Sequence, residues 1–223
     1  MHVVGKCPPD GDALAAAADR GFDAVELYLT TETLDVGAVQ QAVESAPVAV
    51  SSVHTPHVRP QQRDVLARTD DLAARLDAYL VVHSQYAHHA HIPDFERVGF
   101  ESRYGYENNP GASPHYLRNA ILDVGHSLVL DTAHLYMATD HYREELESLL
   151  TTYPEQIELV HLTDATPLAD GLPFGAGDID LQTTTGLLAD RFEGDVVLEV
   201  MPDDQSAALA AVADWTTGTP TDE

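Results

Sequence analysis

Apolar residues fall in short, separated runs along this chain. Eight stand out: HVVG (2–5), DAVELYL (23–29), VAVSSVH (48–54), YLVVH (79–83), YGYEN (104–108), LVLDTAH (128–134), IELVHL (157–162) and VVLEV (196–200). Most are β-branched or continuous instead of alternating with polar residues. Such runs suit strands covered on both faces of a parallel sheet. Between them lie amphipathic stretches of helical length: 12–20, stopping at Gly21, 36–45, stopping before Pro47, and 63–77, the strongest pattern. Residues 113–125 open with Ser113-Pro114, an N-cap and first-turn pair. Further helices are predicted over 140–150, 180–192 and 203–215.

Repeated strand–helix units predict a parallel α/β fold, and eight of them predict a short (β/α)8 TIM barrel. One barrel domain over 1–215 is expected, with residues 216–223 as a frayed tail. Residues 84–103 show no clean helix, so an irregular connection is expected there. It would leave one flank of the barrel thinly covered, which favours a homodimer.

Composition adds a strong acidic bias. The chain has 37 Asp and Glu against 11 Lys and Arg, a formal net charge of −26, and Lys6 is its only lysine. The acids are spread among apolar positions, as in DDLAARLDA (70–78) and HYREELESLL (141–150). This reads as a salt-adapted surface more than as a docking block for a basic partner. So few cations make a groove for nucleic acid hard to assemble, and a small-molecule substrate is expected instead. No apolar stretch reaches the roughly eighteen residues of a membrane span. The opening MHVVGKCPPDGD lacks a secretory pattern, so a cytoplasmic location is expected. Cys7 is the lone cysteine, which excludes an internal disulfide and a cysteine-rich zinc site.

A closed parallel barrel gathers the C-terminal ends of its strands at one mouth. There the chain places Glu26, His54 with His57 beyond it, His83, Glu107 with Asn108 and Asn109, Asp131 with His134, His161 with Asp164 beyond it, and Glu199. Imidazoles with carboxylates form a metal-ligand inventory suited to manganese, zinc, cobalt or magnesium. A divalent cation would also neutralise carboxylates that are costly to bury alone.

The segments GFDAVELYL, SVHTPH, GYENNPG, LVLDTAHLYMA, VHLTDA, FGAGDID and VVLEV resemble the xylose isomerase-like barrel superfamily, over roughly residues 20–205. That group contains sugar isomerases, ketose 3-epimerases and endonuclease IV-type apurinic endonucleases. The resemblance implies one metal held by Glu107, Asp131, His161 and Glu199, with Glu107 and Glu199 as the acid/base pair of a sugar isomerase or epimerase. From the endonuclease branch it implies His54, His83 and His134 as ligands of a second metal, or as substrate contacts. It departs from that branch at ADGLPFGAG (169–177), where Ala169 and Gly171 stand in place of a third-metal Asp and His, and Ala176 in place of a turn Glu. A metal-dependent phosphodiesterase with a reduced site is therefore the alternative, and a non-catalytic binding barrel the third.

Other polar positions have plainer readings. Glu26 is as readily a barrel-interior hydrogen-bonding group as a functional one. His57 lines the pocket or shapes its loop. His88, His89 and His91 read as a solvated loop that could cover the mouth. Lys6 is read as a surface residue, with contact to an anionic substrate as the lesser option. The Gly175–Gly177 loop with Asp178 and Asp180 is a turn and helix cap before it is a phosphate cradle. Phe192 and Trp215 are expected to pack on the core.

Overall fold

A computed structural model describes residues 1–83 and 92–217. In chain order it comprises β1 (His2–Cys7), α1 (Gly11–Asp19), β2 (Ala24–Tyr28), α2 (Val36–Glu44), β3 (Ala49–His54), α3 (Arg63–Leu76), β4 (Tyr79–Val82), α4 (Ile92–Glu96), β5 (Tyr104–Glu107), α5 (Pro114–Leu117), β6 (Leu128–Asp131), α6 (Thr132–Ala138), α7 (Tyr142–Thr152), β7 (Ile157–Leu162), β8 (Asp164–Thr166), β9 (Ala169–Leu172), α8 (Leu181–Arg191), β10 (Asp195–Leu198) and α9 (Gln205–Thr217). Eight strands close a barrel in the order β1-β10-β7-β6-β5-β4-β3-β2, and every neighbouring pair is parallel. This is the TIM barrel that the strand–helix alternation predicts, and each of the eight apolar runs supplies one of its strands.

The continuous apolar character of those runs follows from burial on both faces. Outward-facing residues such as Val25, Leu27, Leu80, Leu130 and Val160 pack under the helices in one large cluster. Inward-facing Val4, Ala24, Tyr79, Val81, Val129, Leu159 and Val197 fill the barrel interior as a separate cluster. Gly105 leaves room there, because a Cβ at that position would collide with the Tyr79 hydroxyl.

Helix starts follow local chemistry. Asp10, Asp35, Ser113, Asp131 and Asp180 each accept a hydrogen bond from the backbone N–H three residues on, satisfying a donor the first helical turn leaves open.

Several elements differ from the sequence-based expectations. The region read as irregular contains the short α4, while its residues 84–91, with His88, His89 and His91, lie outside the described residues. Behind α4, the buried Asp70 carboxylate accepts the N–H groups of Glu101 (2.8 Å) and Ser102 (3.0 Å) and ties that segment to α3. The helix expected over 113–125 is one α-turn followed by a π-turn, Arg118–Leu122. Helix α6 starts directly at the end of β6, inside what reads as one apolar run, because Asp131 caps it. An antiparallel hairpin, β8–β9, follows β7. At the C-terminus α9 includes Thr216 and Thr217 of the expected tail, and residues 218–223 lie outside the described residues. No helix among the described residues is long and apolar enough to cross a membrane.

Two one-residue irregularities set the barrel's inner face. Between β2 and β3 the register steps from Val25↔Val50 to Glu26↔Ser52, so Ser51 is extra. Between β6 and β7 it steps from Leu128↔Ile157 to Val129↔Leu159, so Glu158 is extra. Side chains alternate faces with a period of two, so each bulge returns the following residues to the inward side.

Candidate metal centre

Alternation carries each strand from an inward apolar or small residue to a titratable one two positions on. The pairs are Val4 and Lys6, Ala24 and Glu26, Ser52 and His54, Val81 and His83, Gly105 and Glu107, Val129 and Asp131, Leu159 and His161, Val197 and Glu199. All eight strands therefore end in one ring of charged or ionisable groups at the C-terminal mouth. Above it opens a cavity of about 650 Å³, lined also by Tyr28, Thr30, Thr31, Glu32, Pro56 and Pro110.

Glu107, Asp131, His161 and Glu199 bring one ligand atom each within 4.8 Å of one another. They come from β5, β6, β7 and the residue after β10, four consecutive positions around the barrel, with the two glutamates at the ends of the arc. His161 is fully buried; its Nδ1 lies 2.9 Å from Glu107 Oε1 and 3.0 Å from Glu199 Oε2, and its Nε2 lies 3.2 Å from Glu26 Oε2. Glu26 also accepts from the Ser52 hydroxyl (2.9 Å). The Glu26–His161 contact is the carboxylate–imidazole arrangement that fixes ring orientation and leaves the other nitrogen to a metal.

Asp131 is held by its neighbours on β5 and α6. Its N–H donates to Asn108 Oδ1 (2.7 Å), Asn108 Nδ2 donates to its carbonyl (3.0 Å), and its Oδ1 accepts from the His134 N–H (2.7 Å). His134 Nδ1–H donates to the Asn108 carbonyl (2.6 Å). The ENN and LDTAH segments thus interlock through Asn108, a role its sequence position did not reveal.

The metal-free charges are strained in opposite senses. Burial raises the Asp131 carboxyl and His134 pulls it down, while Glu199 and Glu107 push it up, leaving it at about 7. Burial alone would lower His161, but Glu26, Glu199 and Glu107 hold its imidazolium well above the usual range. Burial also opposes ionisation of Glu107 and Glu199; imidazoles around the first, and Lys6 with His161 beside the second, hold both well below the usual range. A proton on His161 Nδ1 thus sits where a cation would bind, between carboxylates. The donor set passes a further test: Glu199 Oε2 is buried and makes no aligned hydrogen bond. Three carboxylates and one imidazole fit a divalent ion such as manganese, zinc, cobalt or magnesium.

A second cluster adjoins it. Ring nitrogens of His54, His57 and His83 lie within 4.8 Å of one another. His54 Nδ1–H donates to the Thr55 carbonyl (2.9 Å), which leaves Nε2 facing Glu107 Oε2 at 3.2 Å. His83 Nδ1 lies 2.5 Å from the same oxygen, and its Nε2 is buried and meets no hydrogen-bond partner among the described residues. The His57 and His83 rings stack at 3.9 Å. Burial, then the neighbouring imidazoles, lower His57 to about 4, so it presents a neutral ring.

Of the other candidates, His134 stands apart from this cluster, with Nε2 3.1 Å from Asp170 Oδ2. Ala169 and Gly171 stand where the resemblance calls for an Asp and a His, but Asp170 between them brings a carboxylate to His134. Lys6, read as a surface residue, is instead one-tenth exposed: its Nζ lies 2.6 Å from Glu199 Oε1 and 2.9 Å from Glu26 Oε1. Burial opposes its charge, but Glu199, Glu26 and Glu107 outweigh burial and raise it above the ordinary lysine value. Asp164 is structural. It accepts from the N–H groups of Ala165, Gly175 and Gly177 (each 2.9 Å) and Ile179 (3.2 Å). That network consumes the glycine N–H groups, and Asp180 caps α8, so the loop is a turn and cap and not a phosphate cradle.

No protein-family model matches the chain, and no curated protein matches it. Solved structures do. A xylose isomerase domain protein from Planctomyces limnophilus superposes with a TM-score of 0.71 at 15% identity, over 96% of both chains. The 3-keto-D-glucoside 4-epimerase of E. coli superposes at 0.70 and 16% identity, over 97% of this chain and 98% of that one. A Thermus thermophilus protein from a crystal soaked with ZnCl2 superposes at 0.75 and 23% identity, over 99% and 100%. At these identities the likeness is one of fold, a (β/α)8 TIM barrel.

Proposed function

We propose that this chain is a divalent-metal-dependent isomerase or epimerase acting on a sugar or sugar derivative. The observation that carries the reading is the arc of Glu107, Asp131, His161 and Glu199 beneath a cavity of about 650 Å³, with a glutamate at each end. A bound divalent ion would supply Lewis acidity to a carbonyl and its adjacent hydroxyl, making the neighbouring C–H proton easier to remove. The chain supplies the proton movements. Both glutamates are held ionised, so one of them takes a proton from the carbon beside the carbonyl, and the proton returned to the substrate is that same proton or one taken up from solvent through the other glutamate. Glu26 orients His161, and Asn108 orients Asp131. Fold likeness to a sugar epimerase supports the reaction class, and the zinc-soaked neighbour supports a metal in this architecture.

The test is a Glu107→Gln, Glu199→Gln double variant assayed with manganese on a panel of aldoses, ketoses and keto-sugars. Wild type is expected to interconvert at least one pair. The folded variant is expected to lose at least about a thousandfold of that rate, as when an acid/base pair is removed. A folded variant with the wild-type rate would overturn the assignment.

One observation favours a second reading, metal-dependent phosphodiester hydrolysis. Glu107 turns Oε1 to His161 and Oε2 to His54 and His83, so it could bridge two cations. Against it, Lys6 is the only lysine or arginine among the described pocket-lining residues, and two carboxylates already surround it. Elemental analysis separates the two. One ion, kept in His54→Ala, supports the isomerase. Two ions, one lost in His54→Ala, with cleavage of abasic DNA, support the hydrolase.

A further inference from the structure

Lys6 is the one side chain of the ionisable ring that is neither a metal-ligand type nor an acid. Its place is set by the fold on three sides. Its backbone pairs with Glu26 across β1 and β2, its carbonyl accepts from Gln205 Nε2 of α9 (2.6 Å), and its ammonium lies between Glu26 Oε1 and Glu199 Oε1. Glu26 cannot turn away, because its second oxygen holds Ser52 and His161. Glu199 is different. It stands one residue beyond β10, with its side chain 28% exposed; Lys6 holds its Oε1 at 2.6 Å, and its Oε2 lies 3.0 Å from His161 Nδ1, a fellow member of the candidate centre. Its Oε2 is the buried oxygen turned toward the other three candidate ligands, nearest to His161.

We propose that Lys6 is a positioning residue for the metal centre: by holding Oε1 of Glu199 it makes that glutamate present a single oxygen, Oε2, to the ion. A carboxylate free at both oxygens can swing out of the site or chelate the ion through both. The tie to Lys6 opposes each. The inference rests on the metal centre proposed above, not on which reaction that centre performs. It opposes a simple electrostatic account, in which an ammonium beside a cation site only repels the ion and its removal tightens binding.

The experiment compares wild type, Lys6→Met and Lys6→Arg. Manganese affinity is read by titration calorimetry and ligand geometry by the visible spectrum of the cobalt(II)-loaded proteins. Lys6→Met is expected to bind manganese at least about tenfold more weakly, the cost typical of losing a partner that orients a ligand. Its cobalt spectrum should also change, and Lys6→Arg should recover both readouts. A folded Lys6→Met with wild-type affinity and spectrum, or with tighter binding, would overturn the role. Removing the ammonium leaves Glu26 and Glu199 facing each other, so Lys6→Met could fail to fold. Wild type then decides. Lys6 is the only lysine, so lysine labelled with ¹⁵N at Nζ gives a single ammonium resonance. That resonance is expected to shift on titration with zinc and to stop shifting when the centre is filled; a resonance that zinc leaves unmoved would overturn the proposal. If wild type takes up no ion, the centre itself fails and the role of Lys6 with it. Ion uptake that Lys6→Met leaves unaltered removes only the role of Lys6.

Discussion

His161 Nε2 lies 3.2 Å from Glu26 Oε2, and both side chains are fully excluded from solvent. Glu26 touches none of the carboxylates of the proposed metal centre, yet it holds the imidazole nitrogen that faces away from them. Burial opposes its charge, and Lys6 with His161 outweighs burial and holds it at about 2. Glu26→Gln is therefore expected to weaken manganese binding by roughly 10–100-fold while leaving all four ligands in place. Calorimetric titration checks this; unchanged affinity would mean that the contact only fills space.

Asp131 should make the metal-free protein pH-sensitive. Its folded-state value is pushed up to about 7, by burial first, against the usual carboxylate value of 3.8. The folded state thus holds a proton that the unfolded state releases between these values. That contribution to stability is fully present below the unfolded value and is lost as pH rises through about 7. Asp131→Asn keeps an oxygen to cap α6 and removes the charge. In chelator-treated protein at pH 8 it is expected to raise the melting midpoint by about 2–4 °C, roughly 1 kcal/mol. At pH 4 the gain should vanish. An equal gain at both pH values would sink the argument.

The loop after β9 depends on Asp164, whose carboxylate accepts from the N–H groups of Ala165, Gly175, Gly177 and Ile179. Hydrogen bonds to a charged acceptor contribute about 1.5–3 kcal/mol each, and the buried Ala165 and Ile179 donors left unpaired would cost about 1–3 kcal/mol each. Asp164→Ala is expected to lower stability by at least about 3 kcal/mol. Urea denaturation tests this, and a loss under about 1 kcal/mol would mean that water or neighbouring groups replace the carboxylate.

Net charge predicts the response to salt. With 37 acidic and 11 basic residues the surface repels itself at low ionic strength. The screening length falls from about 10 Å at 0.1 M to about 3 Å at 1 M. The melting midpoint is expected to rise by roughly 5 °C or more between 0.1 and 2 M KCl, about 2 kcal/mol for a chain of this size. A flat response would show that the acids are already compensated locally.

Strand runs and cap chemistry are short-range signals. Asp10, Asp35 and Asp180 sit directly before their helices, and Val-, Ile- and Leu-rich runs are buried wherever a parallel barrel places them. The ring of ligand types was readable because a parallel barrel gathers its strand ends at one mouth, and seven of the eight runs carry a His or a carboxylate at or near that end. Helix α6 was not readable, because the apolar run LVLDTAH continues past the strand end and only the Asp131 side chain breaks it. The burial of Lys6 was not readable either, because a lone lysine after a short strand usually reaches solvent.

By itself, then, the sequence determined the eight strands, the barrel they build and which residue types stand at their ends, because those depend on periodicity and local capping. Only the tertiary structure decided which of those residues meet. The bulges at Ser51 and Glu158 set which face each strand turns inward, barrel closure brings Lys6 of β1 against Glu199 after β10, and the hairpin brings Asp170 to His134. Those contacts join residues up to 193 positions apart. Such proximity depends on the closed barrel as a whole, and no local pattern encodes it.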